Sequence, residues 1–201
     1  MAVRPTRGDE VTLSGEFAFV ASWEGMQVTD RYQLRIHVPK YPQKLPRVFE
    51  LGGRIKIDSD EHTFPDGQLC LGSELRIRTQ IGPSMDLARF ADRCLVPYLY
   101  ATTRRVSEGR YVLGELAHGH PGLIEDYKDL LGVDSEEQVR SAIRALATKA
   151  SSADRHPCPC GCGKRLAQCE FRERLSEFRK LAPQRVYAEL LRSVATVPSR
   201  K

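Results

Sequence analysis

Apolar and polar side chains alternate over residues 30–38, DRYQLRIHV. Such alternation is typical of a strand in a sheet that buries one face. The apolar members are Tyr32, Leu34, Ile36 and Val38. A β-rich run, VTLSGEFAFVAS at 11–22, precedes it, and a glycine lies in the intervening WEGMQVT. The two runs therefore predict an antiparallel hairpin.

Two shorter strands and then helices are predicted after this hairpin. The prolines of VPKYPQKLP end the second strand and predict an irregular crossing. RVFEL at 47–51 is predicted as a third strand and GGRIKID at 52–58 as a short fourth strand. From Ser84, a candidate cap, the spacing predicts helices, and Pro97 should end or kink the first of them. The predicted fold is therefore α+β, a four-stranded antiparallel meander followed by helices.

The cellular location is expected to be the cytoplasm. The sequence contains no apolar run of the roughly 18 residues that cross a bilayer. Its first residues, MAVRPTRGDE, lack the apolar segment of a signal peptide. We therefore expect no membrane partner and reduced cysteines.

The charge distribution and a polar stretch predict two domains. SSADRHP at 151–157 is typical of a linker, which predicts domains at 1–150 and 151–201. Residues 1–150 carry 20 Lys/Arg and 21 Asp/Glu, whereas 151–201 carry 11 and 5, so the net charge of +5 arises in the tail. A basic tail can attract acidic surfaces. No aromatic stacking residues accompany this charge, so nucleic acid is not an expected partner.

Cys70 and Cys94 are the two cysteines that stand alone in the sequence. Cys94 lies on an apolar helical stripe and is predicted to be an inert core residue. Cys70 lies between two leucines, and such a cysteine is usually a small core side chain. However, Gly67 and Gly72 would let a peptide backbone approach an exposed thiolate at this position. Composition alone leaves Cys70 open between core residue and nucleophile.

The order of motifs around Cys70 resembles the ubiquitin-conjugating enzyme family, in particular its bacterial relatives. A strand runs into a Tyr-Pro-x-x-x-Pro crossing at 41–46, His62 opens the next segment, and Gly-x-Leu-Cys-Leu follows at 67–71. The resemblance spans roughly residues 11–105 and implies a ubiquitin-conjugating-like fold. It implies that Cys70 is the catalytic nucleophile and that His62 organises the loop around it.

The resemblance also implies partners. The enzyme would receive a ubiquitin-like modifier from an adenylating (activating) enzyme and pass it to an amine of a protein target. Bacterial relatives are associated with anti-phage defence, where a nucleotidyltransferase that makes a cyclic-nucleotide signal is a candidate target. The family's His-Pro-Asn is replaced here by His62-Thr63-Phe64, so the asparagine that supports the oxyanion is absent from its expected place. The alternative is therefore an inactive binding module that acts through its C-terminal knuckle and basic tail.

The segment HPCPCGCGKRLAQCEF at 156–171 resembles the SEC-C zinc motif. Three of its cysteines match ligand positions of that motif, whereas Glu170 stands at the fourth. Cys162 can complete a tetrahedral thiolate set, with His156 as the alternative ligand. The expected ligands are Cys158, Cys160, Cys162 and Cys169. A closed set of this kind implies a small structural zinc knuckle rather than a catalytic metal.

Overall fold

In the computed structural model, the chain forms an antiparallel sheet followed by helices, which confirms the α+β class. The structure describes residues 1–5, 10–58, 61–84, 86–108 and 119–195. Within these ranges, the strands are β1 (Ala2–Pro5), β2 (Val11–Trp23), β3 (Met26–Val38) and β4 (Arg47–Glu50). They pair in the order β1–β2–β3–β4, and each pair is antiparallel.

The β2–β3 hairpin forms where the alternation predicted it. Its two-residue turn consists of Glu24 and Gly25, whose φ angles of 49° and 78° are those of a turn that follows the twist of the strands. Trp23 therefore pairs with Met26, and this register continues to Val11 and Val38. The predicted apolar face of β3 is buried from Tyr32 to Ile36, while the intervening residues are exposed.

The strand predicted at 52–58 does not form. The carboxylate of Glu50 accepts hydrogen bonds from the Gly52 and Arg54 amides at 2.7 and 2.9 Å, which turns the chain away from β4. The Arg54 guanidinium then pairs with Asp30 at 2.8 Å. The additional strand of the sheet is instead β1, which was not predicted and which pairs with β2.

The helices of the first unit also differ from the prediction. The helix α1 (Glu74–Ile81) was not predicted; it is capped by Ser73. The helix α2 (Leu87–Phe90) is capped by Asp86 rather than Ser84, because the Asp86 side chain accepts from the Arg89 amide. A π-helical turn (Ala91–Leu95) leads directly into α3 (Val96–Glu108). Pro97 does not end α3, since the π-helical turn that precedes α3 is wide enough to accommodate a residue that lacks an amide proton.

The helices of the first unit pack on one face of the sheet. Their buried side chains meet those of β3 and β4 in one hydrophobic core. The fully buried members include Leu34, Val48, Ile81, Phe90, Leu95 and Leu99. Among the residues that the structure describes, no helix is long and apolar enough to cross a membrane.

The second unit contains the remaining helices. They are α4 (Gly119–Leu131), α5 (Glu136–Leu146), α6 (Ala150–Ala153), α7 (Phe171–Leu181) and α8 (Gln184–Ala195). The buried face of α5 packs against α7 and α8. The chain consequently divides into Met1–Glu115 and Leu116–Lys201, earlier than the predicted boundary after residue 150. The 151–157 segment lies within the second unit, because α5 shares its core with the helices beyond that segment.

Candidate thiol site and candidate metal centre

Cys70 follows a short hairpin in which Thr63 faces Leu69. The turn of this hairpin is closed by a hydrogen bond from the Gly67 amide to the Phe64 carbonyl at 2.8 Å. The Phe64 amide in turn donates to the Gln68 carbonyl at 2.8 Å. Gly67 has φ 82°, which is the left-handed residue that ends a three-residue hairpin loop. The sequence FPDG favours this turn, because proline presets its first position and glycine tolerates its last.

The hairpin is anchored on the edge of β4. Leu69 donates its amide proton to the Val48 carbonyl at 2.8 Å, and Gln68 pairs with Phe49. The Leu69 side chain is 2% exposed and belongs to the core of the first unit. The residue after Leu69 is therefore held at a defined place beside the sheet.

The main chain joins the two predicted catalytic residues. The Cys70 amide donates to the His62 carbonyl at 2.7 Å. His62 itself has φ 50°, so the chain bends at this point. The loop is tied to α3, because the Tyr98 hydroxyl donates to the Glu61 carbonyl at 2.8 Å. The main-chain bond between Cys70 and His62 therefore helps to hold the loop, and the role of the His62 side chain stays a prediction.

The Cys70 thiol is half-buried. Burial raises its pKa above the ordinary value, and a backbone hydrogen bond from Gly72 opposes this shift only in part. At neutral pH the side chain is therefore mainly a thiol. The surface nearby is apolar: Ile57 is 65% exposed and its Cδ1 atom would lie 3.4 Å from a Cβ placed on Gly67. Phe64, in the turn, is 45% exposed.

Cys94 lies in the core, as predicted. Its side chain is 3% exposed, and its thiol donates to Gln80 Oε1 at 3.2 Å. Burial raises its pKa to about 12. Because the thiolate is the reactive form, we expect the buried Cys94 thiol to be unreactive at neutral pH.

The cysteines of the second unit lie on a small knuckle between α6 and α7. Its two arms are joined at Pro157 and Arg165, and the Cys158 amide donates to the Lys164 carbonyl at 2.8 Å. Between the arms, Gly161 and Gly163 have φ 80° and 75°, which lets the chain turn sharply. A 3₁₀ turn (Leu166–Gln168) then brings Cys169 back to the arms.

The four sulfur atoms converge. Cys158 and Cys160 are 3.2 Å apart, and Cys169 lies 3.7 Å from both Cys160 and Cys162. All four Sγ atoms lie within 4.8 Å of one another. Four thiolates at a Zn–S distance of about 2.3 Å would stand about 3.8 Å apart, so the donor set fits a tetrahedral ion.

Cys162 is the fourth member of the group of cysteines that could hold a metal ion. Among the residues that the structure describes, the metal-ligating group consists of cysteines only, and His156 is exposed outside it. Glu170, at the fourth position of the resembled motif, is exposed and precedes α7. The candidate fourth ligand therefore lies within the turn of the knuckle, whereas in the resembled motif it is the residue after the last cysteine.

The thiols of the knuckle differ in acidity. The pKa of Cys162 is lowered to about 7, first by the backbone amide of Lys164 and then by the Cys160 thiol. Burial raises the pKa values of Cys158 and Cys160. An ion that binds here must therefore displace protons from buried thiols, which couples its affinity to pH.

Two residues near these sites were not predicted. Tyr98 lies in α3, 37 positions after Glu61, and its hydroxyl binds the loop before His62. No local sequence pattern indicates this contact. Gln138 donates to the Cys160 carbonyl at 2.9 Å. The pattern Ser135-x-x-Gln138 predicts a helix cap but gives no sign of a contact with the knuckle.

Comparison of the chain with protein-family models, curated proteins and solved structures finds no match.

Proposed function

We propose that the first unit is a ubiquitin-conjugating-like enzyme that carries a ubiquitin-like modifier as a thioester on Cys70. The observation that carries the proposal is the half-exposed thiol at the end of a hairpin anchored to β4. Gly67 and Gly72, both with positive φ, add little side-chain bulk around it. A thioester carrier needs such a shallow approach for an extended peptide more than it needs a deep pocket.

The reaction would proceed in two acyl transfers. First, the Cys70 sulfur attacks the carbonyl carbon of the thioester that joins the modifier to the adenylating enzyme. A new C–S bond forms, the C–S bond to the adenylating enzyme breaks, and the departing thiolate is protonated in exchange for the proton that Cys70 released to solvent. In the second transfer, a target amine attacks the same carbon, the C–S bond breaks, and the amine proton passes to solvent while Cys70 regains its thiol proton.

The groups around Cys70 would have the following roles in the two acyl transfers. Because the pKa of Cys70 is raised, only a small fraction of this side chain is thiolate at neutral pH, and charging would proceed through that fraction. The His62 carbonyl accepts the Cys70 amide, so His62 would act as a positioning residue for the loop. No asparagine follows His62, so support of the oxyanion during transfer would come from other groups.

We propose that the four cysteines of the knuckle hold a structural zinc ion. Thiolates are ligands that zinc prefers, and their convergence leaves no open coordination position for a substrate. The ion would stabilise the fold of the knuckle, since it cross-links two arms and the 3₁₀ turn that have few buried side chains of their own.

The proposed partners are an adenylating enzyme, a ubiquitin-like modifier and a protein target, in the cytoplasm of a bacterium. An anti-phage setting with a nucleotidyltransferase target is the one that the family resemblance suggests.

A charging assay tests the first proposal. The full chain is mixed with ATP, a candidate modifier and its adenylating enzyme, and the products are separated with and without reducing agent. We expect an adduct that reducing agent removes and that Cys70→Ala abolishes. Cys94→Ala is the matched control, because it removes a buried thiol and should leave charging intact. An adduct that persists in Cys70→Ala would refute the assignment.

The binding-module alternative is favoured by one observation, the burial that raises the pKa of Cys70. Such a module would dock acidic partners through exposed basic residues of the knuckle, such as Lys164 and Arg165. It would form no reducible adduct with any modifier, but it would still lose its partner when Lys164 and Arg165 are replaced by glutamate. The charging assay therefore separates the two functions.

A further inference from the structure

Gln138 connects the N-terminus of α5 to the turn that carries the metal-ligating cysteines. Its side-chain oxygen accepts the amide protons of Asp134 and Ser135 at 2.8 and 3.0 Å. The backbone amide of Gln138 donates to Ser135 Oγ at 3.2 Å, which completes a reciprocal cap. Its side-chain nitrogen then donates to the Cys160 carbonyl at 2.9 Å. One carboxamide thus serves the helix with its oxygen and the knuckle with its nitrogen.

The contact with the knuckle is close. A Cβ on Gly161 would lie 2.8 Å from the Gln138 side-chain nitrogen, which is nearer than a side chain can approach. Gly161 also has φ 80°. Glycine is therefore required at this position both for the turn and for the approach of Gln138. The carboxamide packs on the peptide between Cys160 and Cys162, two of the four candidate ligands.

The two roles of Gln138 have different chemical requirements. A helix cap of this type accepts glutamate or glutamine equally at the third helical position, because only a side-chain oxygen is needed. A negative charge in the first turn also suits the helix dipole. The Cys160 carbonyl, however, needs an N–H donor, which a carboxylate cannot supply. The helix therefore tolerates glutamate at 138, whereas the knuckle does not.

We propose that Gln138 is a positioning residue for the metal centre, which fixes the turn between Cys160 and Cys162 so that their sulfur atoms face the other two ligands. This inference rests on the proposed metal centre. The Gln138 side-chain nitrogen binds the Cys160 carbonyl, and the backbone amide of the following residue, Gly161, donates to the Cys158 carbonyl at 3.1 Å. Groups that orient ligands in this way typically change metal affinity 10- to 100-fold when they are removed.

The test compares Gln138→Glu with the unaltered full chain. Zinc affinity is measured under reducing conditions by competition with a chromophoric chelator, and Co²⁺ spectra report the number of thiolate ligands. We expect Gln138→Glu to bind zinc 10- to 100-fold more weakly while its helical circular dichroism is unchanged. Four-thiolate Co²⁺ spectra in both proteins would show that the ligands are the same.

Two control variants separate this role from general effects. Ser135→Ala removes the other half of the cap, so it should lower the thermal midpoint but change zinc affinity less than threefold. Gln184→Glu adds the same charge at the exposed start of α8 and should change neither quantity. Zinc affinity in Gln138→Glu equal to that of the unaltered chain would overturn the inference, as would an equal loss in Ser135→Ala or Gln184→Glu. An unaltered chain that binds no zinc would instead overturn the metal centre itself, and this inference with it.

Discussion

The buried guanidinium of Arg78 leads to a stability prediction that runs against intuition. Its side chain is 0% exposed. It donates to Glu74 Oε1 at 3.1 and 2.6 Å and to the Pro42 carbonyl at 2.6 Å. Arg78 therefore ties α1, which begins just after Cys70, to the proline-rich crossing. We predict that loss of Glu74 destabilises the first unit more than loss of Arg78.

The magnitudes follow from what each substitution leaves behind. Glu74→Ala leaves a buried charge whose remaining partners, the Pro42 carbonyl and the Tyr41 hydroxyl, are neutral, and breaking a buried pair in this way costs about 3–5 kcal/mol. Because the Glu74 side chain is 39% exposed, water screens part of this loss, and we expect about 2–3 kcal/mol. Arg78→Met removes the charge and keeps much of the apolar volume. It leaves the Pro42 carbonyl without this donor, which costs about 1–2 kcal/mol.

The stability of the first unit can be measured through the fluorescence of Trp23. It is the only tryptophan and lies in β2, so its fluorescence during urea unfolding reports the first unit. The free energies of unfolding of the two single variants and the double variant complete the cycle. In the double variant, Glu74→Ala should lower the free energy of unfolding only slightly relative to Arg78→Met alone. A larger loss in Arg78→Met than in Glu74→Ala, or an unchanged cost of Glu74→Ala in the double variant, would refute the reasoning.

Three further predictions concern pH and domain structure. Because the pKa of Cys70 lies above its ordinary value, the thiolate fraction and with it the rate of charging should keep rising from pH 7 to pH 9, and a plateau near pH 7 would contradict this. The pKa of Asp30 is lowered from 3.8 to about 2, chiefly by a hydrogen bond from Arg54. Its stabilisation of the first unit should be complete above pH 4 and lost as the pH falls towards 2, and Asp30→Asn should flatten this dependence in urea unfolding. Residues 1–115 should unfold cooperatively, whereas 1–150 should bind a hydrophobic dye, because that cut removes α7 and α8 from the apolar face of α5.

The parts of the fold that the sequence predicted well are those that depend on near neighbours. Alternation over 30–38 places each side chain on one face whatever the rest of the chain does, so β3 and its hairpin were predictable. Residues 52–58 were predicted as a strand, but the Glu50 carboxylate accepts hydrogen bonds from the backbone amides of Gly52 and Arg54. The helix α1 was missed because it is short, and its stability depends on the pairing of Arg78 with Glu74 and Pro42. Contacts of this kind have no periodic signature.

The same distinction applies to the two sites. The cysteines of the knuckle fall within twelve residues, so their convergence follows from local turns at Gly161 and Gly163. The placement of Cys162 rather than His156 within the cysteine cluster is also local, since it depends on which side chain the turn points inward. The contribution of Gln138 was not predictable, because it lies 22 positions from Cys160 and its capping pattern has a sufficient local explanation.

Cys70 and Cys94 show why sequence composition could not decide between core residue and nucleophile. Both stand beside leucines, and burial raises the pKa of both. Cys94 is enclosed because it lies on the stripe of a helix that faces the sheet. Cys70 stays half-exposed because Leu69, the residue before it, occupies the core and is bound to β4. A thiol that is accessible yet mainly protonated oxidises slowly, while an acyl group that is already activated can react with a small thiolate fraction. This combination suits a carrier of a transient thioester better than a redox centre.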